Sequence, residues 1–272
     1  MIENTAANCY RHAGRQTRIT CRRCERPICG ECMIPGAVGY QCPRCVKADT
    51  RATRQNLGPY GGVRPRNPRL TTLILIAINA VVWAGIQVAG FTDYQSQIIV
   101  FLGLQPTGNW WTIITAMFTH IELWHVAVNC LALWFLGPIL ETLLGRGRFL
   151  TTYLVAGAVG SLFVVWLTPV YSLTVGASGC LFGLMGALLV LLWHQKADLR
   201  QLLIWLGINV VITVVWIGSI SWQGHLGGLI GGLTIGSLWA FLPPAKYRHL
   251  QWLLLGGLSL LILGGLVARA LI

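Results

Sequence analysis

A chain of 272 residues that is 55% hydrophobic and 10% charged, with a mean hydropathy of +0.64, falls outside the ordinary soluble globular class. In that class about a quarter of residues are charged. The net charge of +12 is uneven, since thirteen of the twenty Lys and Arg precede Leu70, but no aromatic interleaving accompanies this basic arm. A nucleic-acid partner is therefore not expected, and the composition predicts a polytopic protein of the lipid bilayer whose basic end faces anionic lipid on the cytoplasmic side.

Residues 1–48 contain seven of the nine cysteines. The opening residues are polar, so no secretory signal is expected and the segment stays in the reducing cytosol. There, closely spaced cysteines read as metal ligands rather than disulfides. Cys9-x-x-His12, Cys21-x-x-Cys24, Cys29-x-x-Cys32 and Cys42-x-x-Cys45 supply four ligand pairs. Eight ligands divide into two closed four-coordinate sites, the pattern of structural zinc, so two zinc ions are expected. Arg22, Arg23 and Arg26 lie among the thiols and would favour thiolates. So short a segment has too little core to fold without metal. Spacing alone leaves the pairing open. The order of the pairs resembles the cross-braced B-box type of zinc finger, which would join Cys9, His12, Cys29 and Cys32 at one ion and Cys21, Cys24, Cys42 and Cys45 at the other; a sequential arrangement is the alternative. The closed sites point to docking or regulation through a cytosolic protein partner. Residues 49–69, rich in Arg, Gly and Pro, read as a linker.

Apolar runs at about 70–90, 123–144, 149–167, 177–193, 201–217, 224–242 and 250–270 are each near the ~20 residues a spanning helix needs. The predicted fold class is all-α, a membrane bundle of seven transmembrane helices behind a small zinc-binding module. With residues 1–69 inside, the inner connections carry Arg146 and Arg148, Lys196 and Arg200, and Lys246 and Arg248, whereas only Arg269 lies outside. The positive-inside rule then puts the N-terminus in the cytoplasm and the C-terminus outside, with the plasma membrane as the expected location. The outer stretch 91–122 carries Trp110 and Trp111 as interface anchors and enough apolar residues to lie partly in the outer leaflet.

This orientation puts polar residues at one depth. The second, fourth and sixth runs all start outside, and near their outer ends stand His125 and Asn129, Ser178, and His225. Polar side chains at membrane depth are costly and point to function. Ser178 lies in TVGASGCLFGLMG, where Gly176, Ala177 and Gly179 allow a sharp entry into a helix whose N-terminus favours negative charge. The same glycines also serve close helix packing. A serine hydroxyl needs an adjacent base to attack a carbonyl, and a buried neutral His225 suits that task. The Ser178 N–H, Asn129 and His125 would meet the oxyanion. No acidic residue is placed to orient His225, so the arrangement reads as a dyad.

At these residues the sequence resembles the rhomboid family of intramembrane serine proteases. The motifs are HVAVN around His125 and Asn129, GASG around Ser178, GHLGGLIGG around His225, and ETLLG with Glu141 and Gly145. The resemblance implies a Ser178–His225 dyad assisted by Asn129 and His125, no cofactor for catalysis, and transmembrane protein substrates cut near the outer membrane face. It divides the rest of the chain into a rhomboid-like domain at 70–249 and an extra C-terminal helix at 250–272. Phe182 stands where many members carry Tyr, which keeps the ring but loses its hydroxyl, and Trp110-Trp111-Thr112 replaces a Trp-Arg pair. The alternative is a catalytically silent rhomboid-like protein that binds membrane helices. Such proteins usually lack the serine or the histidine, and this chain retains both.

Overall fold

The computed structural model describes residues 6–52, 57–91, 93–107 and 109–271. The chain divides into two compact units, Met1–Asn56 and Leu57–Ile272.

The first unit is built around sulfur rather than hydrocarbon. Two short antiparallel hairpins, β1 (Ala7–Asn8) with β2 (Gln16–Thr17) and β3 (Ile34–Pro35) with β4 (Tyr40–Gln41), precede helix α1 (Pro43–Ala52), which opens on a proline that has no N–H to leave unpaired. Its buried cluster is Ile28 and the cysteines. So little apolar area cannot offset the entropy of ordering the segment.

The second unit is helical. Its elements are α2 (Leu70–Val88), α3 (Gln97–Leu102), α4 (Thr112–Thr115), α5 (Leu123–Leu167), α6 (Ser178–His194), α7 (Arg200–Val215), α8 (Trp222–Phe241) and α9 (Pro244–Ala270). By length and composition Leu70–Val88, Leu123–Leu167 and Lys246–Arg269 can each cross a membrane, and Ser178–His194 and Arg200–Val215 are shorter apolar helices. The last helix starts six residues before the apolar run read from the sequence, because Pro244 is well suited to a first helical turn.

At 45 residues α5 would be about 68 Å long if straight, twice the thickness of a hydrocarbon core. Gly145, with φ 73° and ψ 163°, divides it. A side chain here would be strained and would strike the Val63 carbonyl. The two halves run in opposite directions. The first begins beside His120 and ends at Glu141, which bonds Thr71 and Thr72 at the start of α2. The second begins at Arg148, bonded to Gln251 near the start of α9, and ends at Trp166, bonded to Gly265 near its end.

Helix α6 is the core of the bundle, with eleven of its seventeen residues buried. It packs in parallel against α8 through glycines. A Cβ on Gly228 would collide with the Gly179 carbonyl, one on Gly232 with Gly183 and one on Gly236 with Ala187. Without those side chains the backbones approach closely along their length. The second half of α5 runs antiparallel on the same face, with Gly160 against Gly224 and Thr152 bonded to Trp239.

The end of the bundle opposite Ser178 is not uniformly apolar. The Glu141 carboxylate is fully buried and accepts from the N–H and hydroxyl groups of Thr71 and Thr72 at 2.9–3.3 Å, and from Arg146 at 3.3 Å. It caps a helix N-terminus that has no intrahelical acceptor of its own. Part of the segment read as a linker also packs there. Leu57 and Val63 form a β-bridge, and Tyr60 donates its hydroxyl to the Leu191 carbonyl at 2.8 Å.

Candidate active site

The parallel glycine contacts between α6 and α8 decide which side chains share a level. Ser178 is the first residue of α6, and His225 lies in the first turn of α8. Gly228 is one turn beyond His225 and Gly179 is next to Ser178, so their contact brings the Ser178 and His225 side chains together. The Ser178 Oγ lies 2.8 Å from His225 Nε2. Phe182, one turn after Ser178, stacks on the His225 ring at 4.2 Å and 16°. The loss of the tyrosine hydroxyl leaves that packing in place.

The approach to Ser178 is a loop pinned by backbone hydrogen bonds. Leu104 and Thr174 exchange two backbone hydrogen bonds of 2.9 Å, and the Gly176 N–H donates to the Ala116 carbonyl at 2.8 Å. Gly176 has φ +119°, and a Cβ there would meet the His125 ring. Only glycine fits both demands. The first intrahelical bond of α6 runs from Leu181 N–H to Ala177 O at 3.1 Å. The N–H groups of Ser178 and Gly179 therefore head the helix without intrahelical acceptors.

Asn129 is buried in the first half of α5 and points its amide at His120 Nε2, 3.0 Å away. The same nitrogen accepts from the Ala177 N–H at 3.3 Å. An amide carries two N–H donors, so one remains for another acceptor. His120 is fully buried and ties Asn129 to the residue before Ser178. His125 packs edge-on against His120, with ring centroids 4.9 Å apart, and stacks on Trp124 at 5.5 Å.

Sequence reasoning missed two residues. His120 is one; the other is Thr213 on α7, whose Oγ1 lies 2.8 Å from His225 Nδ1 and 2.7 Å from the Asn209 carbonyl. The available signal was a hydroxyl in an otherwise apolar run, near the outer end that the orientation argument assigned to the other polar groups.

In the first unit, Cys9, His12, Cys29 and Cys32 gather at one point and Cys21, Cys24, Cys42 and Cys45 at another, with all ligand atoms of each group within 4.8 Å of one another. This is the cross-braced grouping. The His12 Nδ1 is 3.2 Å from Cys29 Sγ and 3.5 Å from Cys32 Sγ. Two such clusters of soft donors could each hold a metal ion. At Cys9, burial raises the thiol, but the backbone N–H groups around it outweigh that and bring it down to about 6. Cys21 behaves the same way and also falls to about 6. Burial and neighbouring thiols push Cys32 up to about 11 and Cys45 up to about 12. Backbone donors thus supply the stabilisation of thiolate that the sequence attributed to arginines; Arg23 instead pairs with Asp49.

The helical unit thus holds a serine and a histidine in contact across two parallel helices. The Rhomboid domain family matches residues 107–241. Over 173 residues the chain is 35% identical to Rhomboid protease GluP of Bacillus subtilis, covering 59% of this chain and 33% of that protein. Over 140 residues it is 34% identical to Rhomboid protein 1, mitochondrial, of Saccharomyces cerevisiae, covering 46% and 40%. Over 135 residues it is 31% identical to the Bacillus subtilis rhomboid YdcA, covering 48% of this chain and 68% of that protein. The chain belongs to the rhomboid family and is a multi-pass membrane protein. It spans about a third of the length of GluP and two fifths of the yeast protein.

Proposed function

We propose that the chain is an intramembrane serine endopeptidase that cleaves transmembrane segments of other membrane proteins near the outer membrane face. The observation that carries this reading is the 2.8 Å separation of Ser178 Oγ and His225 Nε2. In the reaction His225 takes the Ser178 proton as Oγ attacks the substrate carbonyl. The resulting oxyanion is met by the Ser178 N–H, the free amide N–H of Asn129 and the His125 ring. The protonated His225 then gives its proton to the leaving amine. Water then attacks the acyl carbonyl as it surrenders a proton to His225, and His225 returns that proton to Ser178 Oγ as the Oγ–acyl bond breaks and the carboxylic acid leaves. Loss of one oxyanion donor typically costs ~10²–10³ in rate. A helical substrate hides its carbonyls, so the cut segment must unwind, and substrates with helix-weakening residues are preferred.

The chain is further assigned seven crossings, with the N-terminus cytoplasmic, the C-terminus outside, and the plasma membrane as location. The domain division is 1–48, 49–69, 70–249 and 250–272. The two clusters hold structural zinc, an assignment supported by their all-thiolate and imidazole donors, and the module docks a cytosolic protein.

The test is cleavage of a reporter transmembrane segment by the purified chain in liposomes, alongside labelling by a fluorophosphonate. Cleavage and labelling that disappear in Ser178→Ala and His225→Ala support the reading. Binding of the reporter without cleavage, or labelling that survives Ser178→Ala, overturns it.

A further inference from the structure

A histidine can accept the serine proton at Nε2 only if its own proton sits on Nδ1, and nothing in the Ser178–His225 contact itself enforces that choice. The deciding group stands on the other side of the ring. Thr213 Oγ1 is 2.8 Å from His225 Nδ1, and both residues are buried. A threonine hydroxyl has one proton. Here the Asn209 carbonyl, one turn back along α7, lies 2.7 Å from the same Oγ1 and takes that proton. The branched side chain holds this back-bonded rotamer within the helix. With its proton committed, Oγ1 faces the ring with lone pairs only and can accept from Nδ1–H alone. The opposite tautomer would bring Nε2–H against Ser178 Oγ and leave the serine proton without an acceptor among the described residues.

We infer that Thr213 is a positioning residue for the dyad: its hydroxyl, spent on the Asn209 carbonyl, holds His225 in the Nδ1–H tautomer and leaves Nε2 bare toward Ser178. This rests on the protease reading and deepens it. A base is usually oriented by a third group, commonly a carboxylate. In this chain a neutral hydroxyl on a third helix takes that place. Of the sixteen residues of α7 only Leu202 and Thr213 are buried, so the hydroxyl belongs to the small part of this helix that is enclosed by the bundle.

The experiment uses the full chain in detergent with ¹⁵N-labelled imidazoles, the His225 resonances being assigned by their absence in His225→Ala. The wild-type chain shows a protonated Nδ1 and a bare Nε2 at neutral pH. In Thr213→Val that pattern is lost to a mixture of tautomers, and kcat on the reporter segment falls about 10- to 100-fold with KM unchanged. Thr213→Ser restores both the tautomer and kcat. A wild-type spectrum with Nε2 protonated overturns the inference without any need for a variant. So does equal loss in Thr213→Val and Thr213→Ser, which would mean that shape rather than the hydroxyl matters. The imidazole spectrum needs no turnover, so a chain that fails to cleave sinks the protease reading while the tautomer still decides the role of Thr213.

Discussion

Gly228 of α8 lies so close to the carbonyl of Gly179 on α6 that a single Cβ at Gly228 would overlap it. That contact, adjacent to Ser178 and one turn from His225, holds two parallel helices at the separation the 2.8 Å hydrogen bond requires. Gly228→Leu should therefore push α8 away from α6. The expected outcome is loss of reporter cleavage and of fluorophosphonate labelling, with thermal unfolding in detergent showing about 1–3 kcal/mol of overpacking cost. The equivalent change at Gly256, which has open space around it, should leave both unchanged.

Gly176 combines φ +119° with a Cβ position occupied by the His125 ring. Gly176→Ala should strain the loop and displace His125, while α6 still begins at Ser178. Cleavage is expected to fall at least about tenfold, and thermal unfolding in detergent to show the strained backbone as a loss of about 1–3 kcal/mol. A variant with unimpaired cleavage would mean that this loop is not part of the machinery.

Glu141 caps the start of α2 with both carboxylate oxygens and pairs with Arg146. Glu141→Ala would leave buried N–H and hydroxyl donors unsatisfied. The expected loss of stability is about 3 kcal/mol, read as a lower unfolding midpoint. Glu141→Gln keeps the shape and part of the bonding, so its loss should be smaller.

The two clusters predict about two metal ions per chain by elemental analysis. Cys32→Ser should remove one ion and Cys24→Ser the other, each leaving the partner cluster loaded, because the cross-braced groups share no ligand. A strong chelator should unfold residues 6–52 while the helical unit keeps its circular dichroism. The low thiol values at Cys9 and Cys21 set the pH dependence. A group whose value is lowered in the fold favours the fold at higher pH, and that contribution is lost as pH falls through the lowered value, here about 6. Protons compete with the metal for the same thiolates, so metal should be retained on desalting at pH 7.5 and released at pH 4.5.

Much of this was legible along the chain because it depends on local pattern. Runs of about twenty apolar residues and four paired ligand motifs report on a length and a spacing, and neither requires knowledge of which helices touch. The depth argument even put Ser178, His225, Asn129 and His125 at one level. What spacing could not decide was lateral proximity: that α6 and α8 meet glycine to backbone, that His120 holds Asn129 against the residue before Ser178, and that the linker packs through Tyr60. The grouping of the eight metal ligands was open for the same reason, since each pair is local but each cluster joins two pairs about twenty residues apart. Thr213 is the clearest case. As a residue it is one more hydroxyl in a hydrophobic helix, and only the place of α7 in the bundle brings it to the second nitrogen of His225, because a hydrogen bond depends on direction and distance in space, which sequence separation does not encode.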